Sequence, residues 1–211
     1  MVIVVGGMIG VGKTTVAELI AKELNTDIFY EKVNDNPLLK KFYTASKEEE
    51  EKYRYPFLLQ LYFLNERFKT IKKSLYNQNN VLDRSIYEDW YFAKVNHDLG
   101  RISSTEFSIY ENLLDNMMQE LKGLPQKSPN LMVYLKCSFD TVIDHIKKRG
   151  RSFESQGQRD YFYKLWAGYD NWVNNYYKAS EKVVIDMDKL DVVLNEKDRQ
   201  TCIKSVKERL F

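Results

Sequence analysis

The stretch Gly7-Met8-Ile9-Gly10-Val11-Gly12-Lys13-Thr14 fits the pattern G-x-x-x-x-G-K-[ST] in full, and it narrows the possible folds more than any other part of the chain. Before it, Met1-Val2-Ile3-Val4-Val5 is a β-branched run suited to a buried strand. After it, Thr15 to Leu24 carries apolar residues at helical spacing. Strand, glycine loop and helix in that order let a backbone wrap an anion, because glycines admit close approach and the helix N-terminus aims its N–H groups at the charge. Residues Gly7 to Thr15 are therefore expected to hold a nucleoside triphosphate. Lys13 would meet the β- and γ-phosphates, and the Thr14 hydroxyl would hold Mg²⁺.

A chain of 211 residues with 44% hydrophobic residues can bury one good core, so a single α/β domain over residues 1–211 is expected. Lys and Arg number 32 against 30 Asp and Glu, too even a balance for a nucleic-acid binder. The cluster Lys147-Lys148-Arg149, with Arg151 just beyond, is a local feature. Cys137 and Cys202 lack metal-ligand spacing, which argues against zinc and for a reducing compartment. No apolar run is long enough for a signal peptide or a membrane span, so a cytosolic protein without a membrane partner is expected.

Along the chain, Ile28-Phe29-Tyr30 reads as a second strand that delivers Glu31 at its carboxyl end, the edge where open parallel sheets bind ligands. Position alone equally allows an ordinary exposed glutamate. Leu38, Leu39, Phe42 and Tyr43 form a short apolar face, and the acidic stretch from Thr44 to Lys52 reads as a solvated insertion or helix face. A long helix is expected from Tyr53 to Tyr76. Within it Gln60 either faces solvent, which the pattern favours, or bonds something planar in a pocket.

Val81-Leu82 runs into Asp83-Arg84-Ser85, a third strand ending in a carboxylate and a guanidinium. Asp83 suits support of Mg²⁺ or its waters, and Arg84 suits phosphate oxygens; a structural ion pair is the competing account. Helices are expected over Ile86–Leu99 and Thr105–Leu121, the first rich in aromatics that suit a core or a dimer interface. Leu131–Leu135 is a fourth strand. The next helix, opened at Ser138, runs into Arg149-Gly150-Arg151, either a lid over a triphosphate or a basic helix end capped by glycine. A helix over Asp160–Tyr177, a fifth strand at Val183–Asp186 and a last helix over Leu190–Leu210 complete the chain. This alternation, with the glycine loop, predicts a P-loop NTPase-type three-layer α/β sandwich, its five-stranded parallel sheet flanked by helices; the short arginine-rich lid of that fold is left open by the residues and is implied only by the resemblance that follows.

The glycine loop, Glu31, the segment Asp83-Arg84-Ser85-Ile86-Tyr87-Glu88-Asp89 and Arg149-Gly150-Arg151, in this order, resemble the deoxyribonucleoside kinases over essentially the whole chain. The likeness is greatest to the bacterial deoxyadenosine/deoxyguanosine kinase branch of mycoplasmas and lactobacilli. It implies that Glu31 takes the proton from the nucleoside 5′-hydroxyl and that Arg84 binds near the 5′-oxygen and the phosphates. It implies that Gln60 pairs with the base edge, reversing the reading from pattern, and that Tyr43 and Glu154 hold the sugar 3′-hydroxyl. Asp89 would stand near the base and help choose it, Phe92 would stack on it, and Arg149 and Arg151 would be lid arginines against ATP. Dimerisation is a further expectation of the resemblance. The chain departs from many relatives in having Asp83 for Glu, Glu31-Lys32 for Glu-Pro, and Phe153 rather than a second acid before Glu154.

The implied reaction is transfer of the γ-phosphoryl group of ATP to the 5′-hydroxyl of a deoxynucleoside, deoxyadenosine first, with deoxyguanosine and deoxycytidine as further acceptors. A nucleoside monophosphate kinase of thymidylate kinase type shares the loop, the Asp-Arg pair and a lid, but Glu31 and Glu154 would repel an acceptor that is already anionic. A non-catalytic nucleotide switch of GTPase type would carry D-x-x-G or N-K-x-D, and neither element is found.

Overall fold

The computed structural model describes every residue except 34, 35, 78, 152 and 154–157. Strand β1 (Val2–Gly7) is the middle of a wholly parallel sheet in the order β2-β3-β1-β4-β5. Its partners are β2 (Asp27–Phe29), β3 (Asn80–Asp83), β4 (Leu131–Lys136) and β5 (Glu181–Asp186). Because strand side chains alternate, Ile3 and Val5 enter one core and Val2 and Val4 the other. The first core is shared with Val16 and Ile20 of α1 (Lys13–Leu24), Leu165 of α8 (Arg159–Asn175) and Val206 of α9 (Glu196–Leu210). The second is shared with Leu64 and Ile71 of α4 (Tyr55–Asn77) and Tyr110 of α6 (Ser104–Leu121). Each aliphatic side chain buried this way contributes about 1.5–3 kcal/mol, and the three-layer sandwich expected from the sequence is the arrangement that covers both faces.

Helix α1 carries the chain from β1 toward β2, whereas α5 (Asp89–Asp98) and α6 carry it from β3 past β1 to β4. The connections diverge at the carboxyl ends of β1 and β3, which is where a parallel sheet opens a crevice. Register sets Val5 beside Asp83 and Gly7 beside Leu135, so the glycine loop and the Asp-Arg pair emerge together.

Several boundaries differ from those expected, three of them in ways with a clear local cause. The acidic stretch forms its own exposed helix, α3 (Lys47–Tyr53), with Ser46 and Glu49 bonding each other's backbone N–H at 3.2 and 2.8 Å. Residues Ile86–Glu88 make a 3₁₀ turn before α5. The last helix starts at Glu196 rather than Leu190, because the Asp191 carboxylate takes the Val193 and Leu194 N–H groups into a turn and Asn195 caps Lys197.

Candidate active site

The loop after β1 leaves extended geometry through left-handed glycines: Gly10 has φ +83° and Gly12 φ +100°. A Cβ on Gly10 would meet Ile146 of α7 (Phe139–Arg149) at 3.0 Å, and the Gly10 carbonyl bonds His145 Nδ1 of the same helix at 2.8 Å. Only glycine lets α7 come this close to the loop.

Lys13 is buried, and its Nζ donates to the Met8 carbonyl at 2.9 Å. Burial, then the like charge of Arg84, brings this ammonium down to about 8 against the pull of Glu31, Asp83 and Glu88. A bound triphosphate stabilises the charged form, so ATP affinity should be flat below that pH. Above it, Kd should rise by a factor approaching about tenfold per pH unit, because binding must then take up a proton. Titration calorimetry in two buffers of different ionisation enthalpy measures that uptake directly.

The Thr14 hydroxyl donates to Asp83 Oδ2 at 2.5 Å, while Asp83 Oδ1 is buried and has no hydrogen-bond partner among the described residues. Burial raises the Asp83 carboxyl against the pull of Lys13. An orphaned acceptor beside a hydroxyl suits Mg²⁺ or one of its waters. Among the described residues no group of three acidic, His or Cys side chains stands together as a metal cage.

Glu31 sits beyond the end of β2, where Arg67 bonds Oε1 and Arg84 Nε lies 3.3 Å from the same atom. Burial by itself would raise Glu31, but Arg84, Arg67 and Lys13 hold it down to about 2, fully ionised at neutral pH. Arg67 also pairs with Asp89, which is fully buried and pushed up to about 7 by that burial despite the guanidinium. Arg67 was not among the residues expected from the sequence. Its signal lay in the spacing: Gln60, Phe63 and Arg67 stand at i, i+3 and i+7 on one face of α4, and all three line the cleft. Gln60 is only 2% exposed, so the solvent-facing reading of its pattern does not hold.

One cleft of about 510 Å³ gathers most of the expected residues. Ile9, Gly10, Gly12, Lys13, Thr14, Thr15, Arg149 and Arg151 line it together with Glu31, Asp83 and Arg84. Tyr43, Gln60 and Phe92 line it too, and the Arg84 guanidinium lies 4.7 Å over the Phe92 ring. Gly7, Met8 and Val11 do not line the cleft; they shape the loop from beneath. Asp89 reaches the cleft only through Arg67. Glu154 lies outside the described residues, as does most of the segment following Arg151.

The cleft thus brings the glycine loop, a carboxylate between two arginines, and an aromatic ring and an amide to one place. The family model for deoxynucleoside kinases matches residues 3–210. The chain belongs to the deoxynucleoside kinase family. This kinase is 44% identical to a deoxyguanosine kinase of Lactobacillus johnsonii, over 99% of the chain and 92% of that relative. It is 43% identical to a deoxyadenosine kinase of Lactobacillus acidophilus, over 99% and 96%. A solved deoxyadenosine kinase from M. mycoides, with the products dCMP and a flexible dCDP bound, superposes with a TM-score of 0.79 at 31% identity, covering 100% of this chain and 98% of that one. The kinase is thus a phosphotransferase acting on deoxynucleosides, and the monophosphate-kinase and switch alternatives are set aside.

Proposed function

We propose that this kinase transfers the γ-phosphoryl group of Mg²⁺-bound ATP to the 5′-hydroxyl of a purine deoxynucleoside, deoxyadenosine ahead of deoxyguanosine, with deoxycytidine also accepted. The observation that carries the chemistry is the Glu31 carboxylate lying against Arg84 in the same cleft as Lys13 and Thr14. The names of the relatives support the purine preference, and the dCMP held by the M. mycoides enzyme supports acceptance of deoxycytidine.

In this reading the loop amides, Lys13, Arg149 and Arg151 hold the donor, and Thr14 with Asp83 would hold Mg²⁺, which would supply charge neutralisation at the phosphate oxygens. Gln60 bonds the base edge, Phe92 stacks on the base, Asp89 acts through Arg67, and Tyr43 with Glu154 holds the sugar. The ionised Glu31 accepts a hydrogen bond from the 5′-hydroxyl and orients a lone pair of that oxygen at the γ-phosphorus. A carboxylate at about 2 is a weak base toward a resting alcohol. The proton therefore moves late, when the forming P–O bond has acidified the oxygen and the bond to the β-phosphate oxygen has largely broken. Arg84 spreads positive charge beside the transferring group.

Residues 1–211 work as one catalytic domain, and as a homodimer in the cytosol. Exposed Ile109 and Leu113 on α6 support the dimer as a face that a second copy would cover. Among the described residues no helix is long and apolar enough to cross a membrane.

The test is kcat/KM with Mg²⁺ and ATP across the four natural deoxynucleosides and their 5′-monophosphates. Transfer to nucleosides with deoxyadenosine leading is expected. Transfer confined to monophosphates would sink the reading, and a leading pyrimidine would remove the purine preference.

A further inference from the structure

Glu88 lies outside the cleft and is fully buried, and the reaction as described makes no use of it. Its Oε1 accepts from the Gly7 N–H at 3.0 Å, from Arg84 Nη1 at 3.0 Å and from the Tyr169 hydroxyl. Arg84 closes the ring, donating through Nη2 to the Gly7 carbonyl at 3.0 Å and through Nη1 to the Tyr169 oxygen at 3.1 Å. Gly6 makes the room: a Cβ there would stand 3.3 Å from the Glu88 carboxylate and 2.5 Å from Met132 Cε. Tyr169, on the helix that follows the Arg149-Gly150-Arg151 segment, is itself held by stacking on Tyr134 with ring centroids 5.9 Å apart.

A carboxylate taken fully out of water is tolerated only when charge and hydrogen bonds compensate it. Here the compensation comes from the entry of the phosphate loop and from the arginine of the Asp-Arg pair. Both backbone groups of Gly7 are engaged, the N–H by Glu88 and the carbonyl by Arg84. Three of the five guanidinium N–H groups are taken within this ring, and Nε faces Glu31 at 3.3 Å. We propose that Glu88 is a positioning residue for phosphoryl transfer: with Tyr169 it sets the angle of the Arg84 guanidinium and ties it to Gly7, so that loop and arginine keep one geometry. This rests on the role given to Arg84 above.

Glu88→Gln keeps the shape and an acceptor oxygen for the three donors on Oε1 but removes the negative charge paired with Arg84. It is expected to lower kcat by about tenfold or more while both KM values stay within about threefold, since a misaimed charge is felt mainly in the transition state. Added to Arg84→Lys, which lowers kcat on its own, Glu88→Gln should change kcat by less than about twofold, because it acts through the guanidinium already lost. Tyr169→Phe removes one arm of the ring and keeps the ion pair; it should lower kcat by roughly three- to tenfold, and it stands in where Glu88→Gln does not fold. Wild-type kcat in whichever of these two single variants folds, or full additivity in the double variant, overturns the proposal. Wild-type kcat in Arg84→Lys overturns the role of Arg84 and the proposal with it. Loss of kcat in Arg84→Lys with none in Glu88→Gln removes Glu88 alone.

Discussion

Glu31→Gln is expected to lower kcat by about 10²–10⁴-fold while the affinity for ATP changes by less than about threefold. The amide keeps the size of the side chain and can still accept a hydrogen bond from the 5′-hydroxyl, so the ground state is largely preserved. It cannot take the proton when the P–O bond forms. Its loss also leaves Arg84, which is buried, and Arg67, which is partly buried, without the anion that stands between them. Single-turnover transfer of labelled phosphate, with ATP binding measured separately, distinguishes lost chemistry from lost binding. A variant that turns over at the wild-type rate would show that Glu31 serves only to balance those arginines. A variant that fails to bind ATP would show that the carboxylate organises the donor site.

Gly7→Ala is expected to cost about 2–5 kcal/mol of stability and to weaken ATP binding in the fraction that folds. Gly7 has φ +142°, a conformation that a residue with a side chain rarely adopts. Its added Cβ would lie 2.5 Å from the Leu135 carbonyl oxygen, on the neighbouring strand of a fully paired sheet, and 3.1 Å from Val11 Cγ1. Neither the strand nor the loop can yield without breaking the β1–β4 ladder, so the cost combines backbone strain and overpacking. Urea unfolding at two ATP concentrations checks both parts. A midpoint within a few tenths of a molar of the wild type would mean that the loop relaxes freely and that the glycine is not needed there.

The glycine-loop part of the cleft was legible along the chain because its geometry is local. A glycine loop, a lysine and a threonine bind phosphate through groups only a few residues apart, and the flanking strand and helix show in residues 1–24 as changes of hydrophobic period. Asp83 and Arg84 were readable for a similar reason, since the end of a parallel strand marks the sheet edge that binds ligands. Gln60 was not readable from pattern. A polar residue on an apolar turn looks the same whether it meets solvent or a pocket, and only its resemblance to a family motif pointed inward.

Arg67, Glu88 and Tyr169 show where the linear message stops. Arg67 meets Glu31 and Asp89 from 36 and 22 residues away, and Glu88 meets Gly7 and Tyr169 across 81 residues each way. Such pairs leave no periodicity, because their geometry is a sum over the crossing of α4, α5 and α8 with the sheet. The linear order of residue types was enough to decide the class of fold, the phosphate loop and the family. Packing alone decided which buried charges face one another, since the strength of an ion pair depends on distance and on the exclusion of water, and both arise only when separate elements close on a common core.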